Sequence, residues 1–239
     1  MAAFRATLDR PHTPGGDPGA QAALARGMRP AHGATLRTHL AARTSFFDEQ
    51  VLAALAEGIE QVVILGAGYD DRALRFSAPA VRYFEVDQPA TQRDKRRRLV
   101  RIGADLGRVT LVPADFRTDD TAAALAAAGH DAETPSLFIC EGLLIYLDED
   151  TSLRLLVALR SRSSATSRLA ASLATHPDGE SSDAVVASAN RIRRNSRSEP
   201  WLTILPAAAQ LELLERAGWR AADTSDHVRG MLLVTARAS

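Results

Sequence analysis

Between Gln61 and Ala174 the chain alternates short apolar, β-branched runs with stretches of helical pattern, and few folds accommodate that alternation. Gln61–Leu65 is such a run, closed by Gly66-Ala67-Gly68, which predicts a buried strand leading into a tight turn. Val81–Val86, Val109–Val112, Ser136–Cys140 and Leu169–Ala174 repeat the strand pattern. Helices are expected over 70–76, 89–103 and 119–128, and again from Asp148, where acids occupy the first turn and Arg160 lies near the end, as the helix dipole prefers. Pro206 opens a later helix and Gly218 closes it. Residues 219–225 and 230–236 are separated by only a few positions, so the last two strands form an antiparallel hairpin. Strands joined by crossover helices make a parallel sheet covered on both faces. The expected fold is α/β: a doubly wound, seven-stranded, Rossmann-like sheet, mostly parallel with an antiparallel C-terminal hairpin, in a single domain spanning 1–239.

The flanking segments carry weaker signals. Residues 1–19, with Pro14, Gly15, Gly16 and Pro18, predict a loose arm or flap. Residues 20–42 are Ala- and Arg-rich and predict a helical cover. Phe47, Val51 and Leu55, with Leu52 beside them, predict a separate amphipathic helix from Ser45 to near Gly58. Residues 177–200 fit no strand and predict a polar lid, helical from Ser182 to Asn195.

Composition narrows the function. With 46% hydrophobic and 24% charged residues the chain can bury a core. Basic and acidic residues balance at 29 each, against a polyanion or nucleic-acid binder. The run Arg93-Asp94-Lys95-Arg96-Arg97-Arg98 has no interleaved aromatics and predicts a solvated helix face. Cys140 is the only cysteine, which leaves no internal disulfide and no cysteine-based zinc site; no metal is expected. No apolar run approaches the roughly 18–20 residues of a bilayer span, and no secretory signal is visible, so a soluble cytoplasmic protein is expected.

Ligands of such sheets bind beyond the carboxyl ends of the strands, where strand order reverses. Four successive strand ends here carry glycine or acid: Gly66-Ala67-Gly68-Tyr69-Asp70-Asp71-Arg72, then Glu85 and Asp87, then Asp115 and Phe116, then Glu141 and Gly142. Glycines let the backbone approach a ligand. Asp87 lies 21 residues beyond Gly66, where an acid can accept both ribose hydroxyls. Asp115 can take an amino group while Phe116 packs on a ring. A dinucleotide is the competing ligand, but Asp71 stands at its third glycine and, with Asp70, would repel a pyrophosphate. An adenosyl group joined to an amino-acid zwitterion fits better. Each acid alone could equally be a helix cap, as for Asp70, Asp119 or Asp148.

These residues resemble the leucine carboxyl methyltransferase family of S-adenosyl-L-methionine (SAM)-dependent methyltransferases, and more closely its bacterial, actinobacterial-type branch of small-molecule O-methyltransferases. The matching segments are Ala42-Arg43-Thr44-Ser45-Phe46-Phe47-Asp48, Val63 to Asp70, Tyr83 to Pro89, Pro113 to Arg117 and Glu141 to Leu147, with Ala217-Gly218-Trp219 near the end. The resemblance covers about residues 36–160. It implies that Arg43 holds the methionine carboxylate, that Gly66, Ala67 and Gly68 line the methionine end, and that Asp87 binds the ribose. It further implies that Asp115 and Phe116 bind the adenine and that Glu141 lies under the amino-acid part. Asp71 and Phe116 depart from the usual pattern, and the cofactor-contacting lysine of eukaryotic members has no match. The implied activity is O-methylation of a carboxyl or hydroxyl group on a small molecule, such as a polyketide-like natural product, with S-adenosyl-L-homocysteine (SAH) as product. Oligomeric state is expected to be monomer or homodimer, with neither nucleic acid nor membrane as partner. The rivals are an NAD-dependent oxidoreductase and a non-catalytic SAM-binding protein.

Methyl transfer from a sulfonium mainly requires alignment of nucleophile, methyl and sulfur. A hydroxyl acceptor benefits from a base, whereas a carboxylate needs none. His176, directly after the fifth strand, is the first candidate base, although a loop histidine bonded to backbone is the more ordinary reading; His32 and His39 come second. Tyr146 could orient the acceptor or simply pack. Arg191, Arg193, Arg194 and Arg197 read better as a solvated face than as an anion attractor, and Trp201 and Trp219 as packing residues, with Trp201 alternatively lining the substrate cavity.

Overall fold

The structure is a computed structural model that describes residues 1–29, 34–192, 199–228 and 230–239. Its sheet runs through β1 (Gln61–Leu65), β2 (Arg82–Asp87), β3 (Val109–Pro113), β4 (Ser136–Cys140), β5 (Arg168–His176), β7 (Trp219–Val228) and β8 (Met231–Ala238). The spatial order is β3-β2-β1-β4-β5-β8-β7, with a two-residue strand, β6 (Leu205–Pro206), pairing off this path with the end of β5. β1 to β5 are parallel, and β8 is antiparallel to both β5 and β7. The expected α/β sheet and closing hairpin are both present; β6 is too short to leave a periodic signal.

Alternation along β1 sends side chains to opposite faces, and both faces are buried. Val63 and Leu65 join Phe84, Phe138, Leu156 and Trp219 in one core, beneath α6 (Thr121–Ala127), α7 (Glu149–Ser161) and α9 (Ala207–Arg216). Val62 and Ile64 join Phe47, Val51, Tyr83 and Ile139 in the other, beneath α3 (Ala34–Ala56). Trp219 is fully buried, and its indole N–H donates to Leu156 O, as expected of a packing residue.

Several boundaries differ from the sequence expectation. The helix expected at 20–42 splits into α2 (Ala20–Leu24) and the start of α3, and α3 runs on without a break through Ser45. No Gly or Pro lies between Ala34 and Ala56 to stop it. The helix expected at 70–76 shrinks to α4 (Arg72–Arg75). Asp148 caps α7 by accepting from Thr151 N, but α6 is capped by Asp120, not Asp119. The proposed lid contains α8 (Ser182–Ile192); Arg193, Arg194 and Arg197 lie outside the described residues, as does His32.

The largest departure is the N-terminal arm. Residues 1–29 are docked rather than loose. α1 (Ala2–Arg5) buries Phe4 and Arg5, and Arg10, Ala20, Gln21 and Leu24 are buried further along. Gln21 donates to Tyr69 O, and Thr13 Oγ1 donates to Ser77 O. At Gly16 a Cβ would stand 1.7 Å from Arg75 O, so only glycine lets the arm lie this close to α4. Pro and Gly in this stretch shape a close approach instead of flexibility.

The basic run also departs in part. On α5 (Pro89–Arg101), Arg93, Arg96 and Arg97 are exposed as expected. Lys95 is buried, with Nζ 2.5 Å from Glu85 Oε2 and donating to Asp70 O. Glu85 is thus taken up by Lys95 and is not among the residues lining the strand-end cleft; its carboxyl is pushed up by burial, with Lys95 opposing.

Candidate functional site

Strand order reverses between β1 and β4, and a cleft of about 250 Å³ opens at the carboxyl ends of the strands beside that point. Gly66 from β1, Asp87 from β2, Asp115 and Phe116 from β3, and Gly142 from β4 all line it. Tyr146 joins them from a 3₁₀ turn over Leu144–Tyr146, together with Leu143 and Leu147. Residues as far apart in sequence as Gly66 and Leu147 thus face one space because parallel strands place all their ends on one edge.

The lining is held by backbone bonds. Asp87 Oδ2 accepts from Gly68 N at 2.6 Å and Oδ1 accepts from its neighbour Gln88 N, which ties the glycine turn to the end of β2. Each oxygen keeps acceptor capacity for a further donor. Asp115 Oδ1 accepts from Arg117 N, and Gly142 N donates to Ser172 Oγ. Gly66 and Gly142 have φ near +63°, the left-handed region glycine favours. A Cβ on Gly66 would approach Leu143 to 3.0 Å, and one on Gly142 would approach the Arg43 guanidinium to 2.9 Å.

Beneath this edge lies a cluster of buried charge that sequence reasoning missed. Arg72 is fully buried at its centre. Its Nε donates to Asp48 at 2.7 Å, and its Nη1 reaches Asp70 and Glu141 at 2.6 Å each. Arg10 bonds Asp48 through two nitrogens and Asp71 through a third, and Arg75 holds the other oxygen of Asp71. Arg5 reaches Asp70 at 2.5 Å and lies 3.7 Å from Glu141. Arg43 donates its Nε to Glu141 at 3.1 Å. Burial pushes the Glu141 carboxyl up, but Arg72, Arg5 and Arg43 outweigh it and hold the group down at about 2. Asp70 is likewise held low: burial is overcome by Arg72, Arg5 and Lys95. A signal for this cluster was available. Asp48 shares the inward face of α3 with Thr44 and Val51, and an acid at a core position needs a buried partner.

The expected site residues therefore divide. Gly66, Asp87, Asp115, Phe116 and Tyr146 line the cleft. Ala67 is buried and Gly68 half-buried in the turn behind it. Glu141 belongs to the charge cluster, and the Arg43 guanidinium packs on Gly142 where that residue meets the cleft. His176 stands apart. Its Nδ1 pairs with Pro177 O at 2.7 Å and its Nε2 with Ser182 Oγ at 2.8 Å, and it is not among the residues that line the cleft. His39 sits half-buried on α3. Asp70 and Asp71 face guanidinia, so they are not a source of repulsion toward a bound pyrophosphate. What speaks against a dinucleotide is α4, whose four residues offer a pyrophosphate no developed helix N-terminus.

A profile of the leucine carboxyl methyltransferase family matches residues 15–160, more than half of the chain. The chain belongs to that family. A protein of Streptomyces coelicolor, provisionally named an S-adenosyl-L-methionine-dependent methyltransferase, is 46% identical over 134 residues, covering 55% of this chain and 47% of its own length. One from Mycolicibacterium smegmatis with the same provisional name is 41% identical over 164 residues, 68% of this chain and 51% of its own. The chain thus spans about half the length of these relatives. Among solved structures, magnesium protoporphyrin IX methyltransferase from Synechocystis, with bound SAH, aligns over 91% of this chain and 94% of its own at 14% identity, with a TM-score of 0.59. Mitomycin 7-O-methyltransferase aligns over 92% of this chain and 63% of its own at 17% identity, with a TM-score of 0.55. These likenesses show a shared Rossmann-like methyltransferase fold.

Proposed function

We propose that this family member binds SAM in the strand-end cleft and transfers its methyl group to an oxygen of a small molecule. The observation that carries the reading is the placement of Gly66, Asp87, Asp115 and Phe116 around one cleft, with the charge cluster meeting it where Arg43 packs on Gly142. The donor set fits the ligand. Asp87 is a carboxylate with spare acceptor capacity for vicinal hydroxyls, and Asp115 beside Phe116 offers an acceptor and an apolar face for an aminopurine. The cluster adds a third match. Its side chains comprise five guanidinia (Arg5, Arg10, Arg43, Arg72, Arg75) and four carboxylates (Asp48, Asp70, Asp71, Glu141), a surplus of one positive charge. Arg43 is the member whose guanidinium packs on Gly142, a lining residue, and its planar fork suits a carboxylate.

When bound, SAM supplies an electrophilic methyl on a sulfonium. The chain's own residues supply position. Asp87 and Asp115 hold the adenosyl part in register with the sheet, and Arg43 and Gly142 hold the amino-acid end. Tyr146, Leu143 and Leu147 present a mixed apolar and hydroxyl surface to the acceptor. A carboxylate acceptor is ionised at neutral pH and asks for no base, whereas a hydroxyl benefits from one. Engagement of both His176 ring nitrogens favours the carboxylate acceptor within this pair.

Titration calorimetry with SAM and SAH tests the reading: binding of both is expected, and folded protein that binds neither refutes it. Asp87→Ala should weaken SAH binding by roughly 1–3 kcal/mol, the scale of a lost charge-assisted hydrogen bond. An unchanged affinity in a folded variant removes the ribose assignment. Incubation of candidate acids and phenols with methyl-labelled SAM then separates a catalyst from a protein that only binds the cofactor.

A further inference from the structure

The arm contributes two of the five guanidinia in the buried cluster, Arg5 and Arg10, from 65 and 61 positions away from the acids they meet after β1. Without them, three guanidinia (Arg43, Arg72, Arg75) would face four carboxylates, a deficit of one. With them the balance is one positive. The arm therefore sets the sign of the charge under the Arg43 end of the cleft. Geometry shows how this reaches Arg43. Glu141 is shared between Arg72 at 2.6 Å, Arg5 at 3.7 Å and Arg43 at 3.1 Å. Because the first two already compensate Glu141, it engages Arg43 through Nε, while Arg43 Nη1 and Nη2 pack on Gly142 at the cleft. A Glu141 deprived of Arg5 would draw on Arg43 more strongly and leave less of its fork for a ligand.

We propose that Arg5 and Arg10 are positioning residues that make the cleft selective for a ligand with a carboxylate at its amino-acid end. This rests on the SAM reading above and goes beyond it, because it assigns the charge balance of the site to a segment that need not touch the ligand. It also explains why an arm rich in Pro and Gly is docked through desolvated guanidinia, an arrangement that adds little to stability over apolar packing.

Two probes separate this role from a general structural one. SAH carries the amino-acid end, and 5′-methylthioadenosine carries the adenosyl part without it. Calorimetry of the full chain should show that Arg5→Gln weakens SAH by about tenfold or more while 5′-methylthioadenosine changes by less than about twofold. Arg5→Lys keeps the charge and should restore most of the SAH affinity. Arg5→Gln combined with Asp70→Asn returns the surplus to one positive charge and should also bind SAH nearly as the wild type does, with circular dichroism confirming the fold. If wild type binds neither probe, the SAM reading fails. If wild type binds and Arg5→Gln weakens both probes equally or neither, the positioning role is overturned. Should Arg5→Gln alone not fold, the compensated pair decides the question: SAH affinity near wild type supports the proposal, and loss of SAH with 5′-methylthioadenosine binding intact refutes the charge balance as its cause.

Discussion

Replacing Arg72 with Met removes one guanidinium from the centre of the buried cluster and keeps much of the side chain's length. In the wild type this group contacts Asp48, Asp70 and Glu141 at 2.6–2.7 Å. The three acids are not left wholly alone in the variant, because Asp48 retains Arg10, Asp70 retains Arg5 and Glu141 retains Arg43. Removing one partner of a buried ion pair costs about 3–5 kcal/mol, and the retained partners place this case near the lower figure, ~3 kcal/mol. For a domain of this size each kcal/mol moves Tm by about 2–4 °C, so a fall of about 6–12 °C follows. Urea unfolding followed by far-UV circular dichroism at pH 7 measures the difference. The pH dependence supplies an internal check. Asp70 and Glu141 have folded pKa values below their unfolded ones, so the stability they contribute is present above pH ~4 and is lost as pH falls toward the folded value, about 2 for Glu141. Arg72 is foremost among the groups that oppose burial at both. Without it the depression shrinks, and the gap between the two proteins should narrow as pH falls from 5 to about 2. Equal urea midpoints at pH 7, or a gap that stays constant down that range, would refute the cluster as described.

Gly142→Ala forces a β-carbon into the left-handed region, at roughly 1–2 kcal/mol, and against the movable end of Arg43. It should weaken SAH binding several-fold in calorimetry, and wild-type affinity would argue that Arg43 lies off the ligand's path. His176→Ala breaks contacts to Pro177 and Ser182 and should cost about 1 kcal/mol of stability without changing the pH–rate profile. A rate loss recovered at high pH would instead return His176 to the role of base.

The family relatives match this chain over roughly half of their own length, so their full activity is a hypothesis to be tested on this chain directly. The chemistry it would need is modest. Among the described residues no group of His, Cys, Asp and Glu is arranged to hold a metal ion, and no helix is long and apolar enough to cross a membrane.

Strand positions and the edge that holds the cleft were legible because they follow from local rules. A β-branched run such as Gln61–Leu65 has its period written in consecutive residues, and Gly66 and Asp87 announce themselves by their place just after such runs. Helix boundaries were less legible: α3 keeps one inward face through Leu40, Thr44, Phe47, Val51 and Ala54, but the apolar pattern is clear only past Ser45, and no residue marks a start or stop there. The docked arm was not legible, and of the cluster only Asp48, an acid at a core position of α3, gave a sign. An arginine at position 5 or 10 looks the same in sequence whether water or a carboxylate solvates it, and Lys95 sits in a run that reads as surface. Local periodicity dictated which residues reach the strand tips. Which charges lost their water depended on segments more than 60 positions apart meeting in space, because a guanidinium can be desolvated only where the rest of the chain delivers its counter-charge.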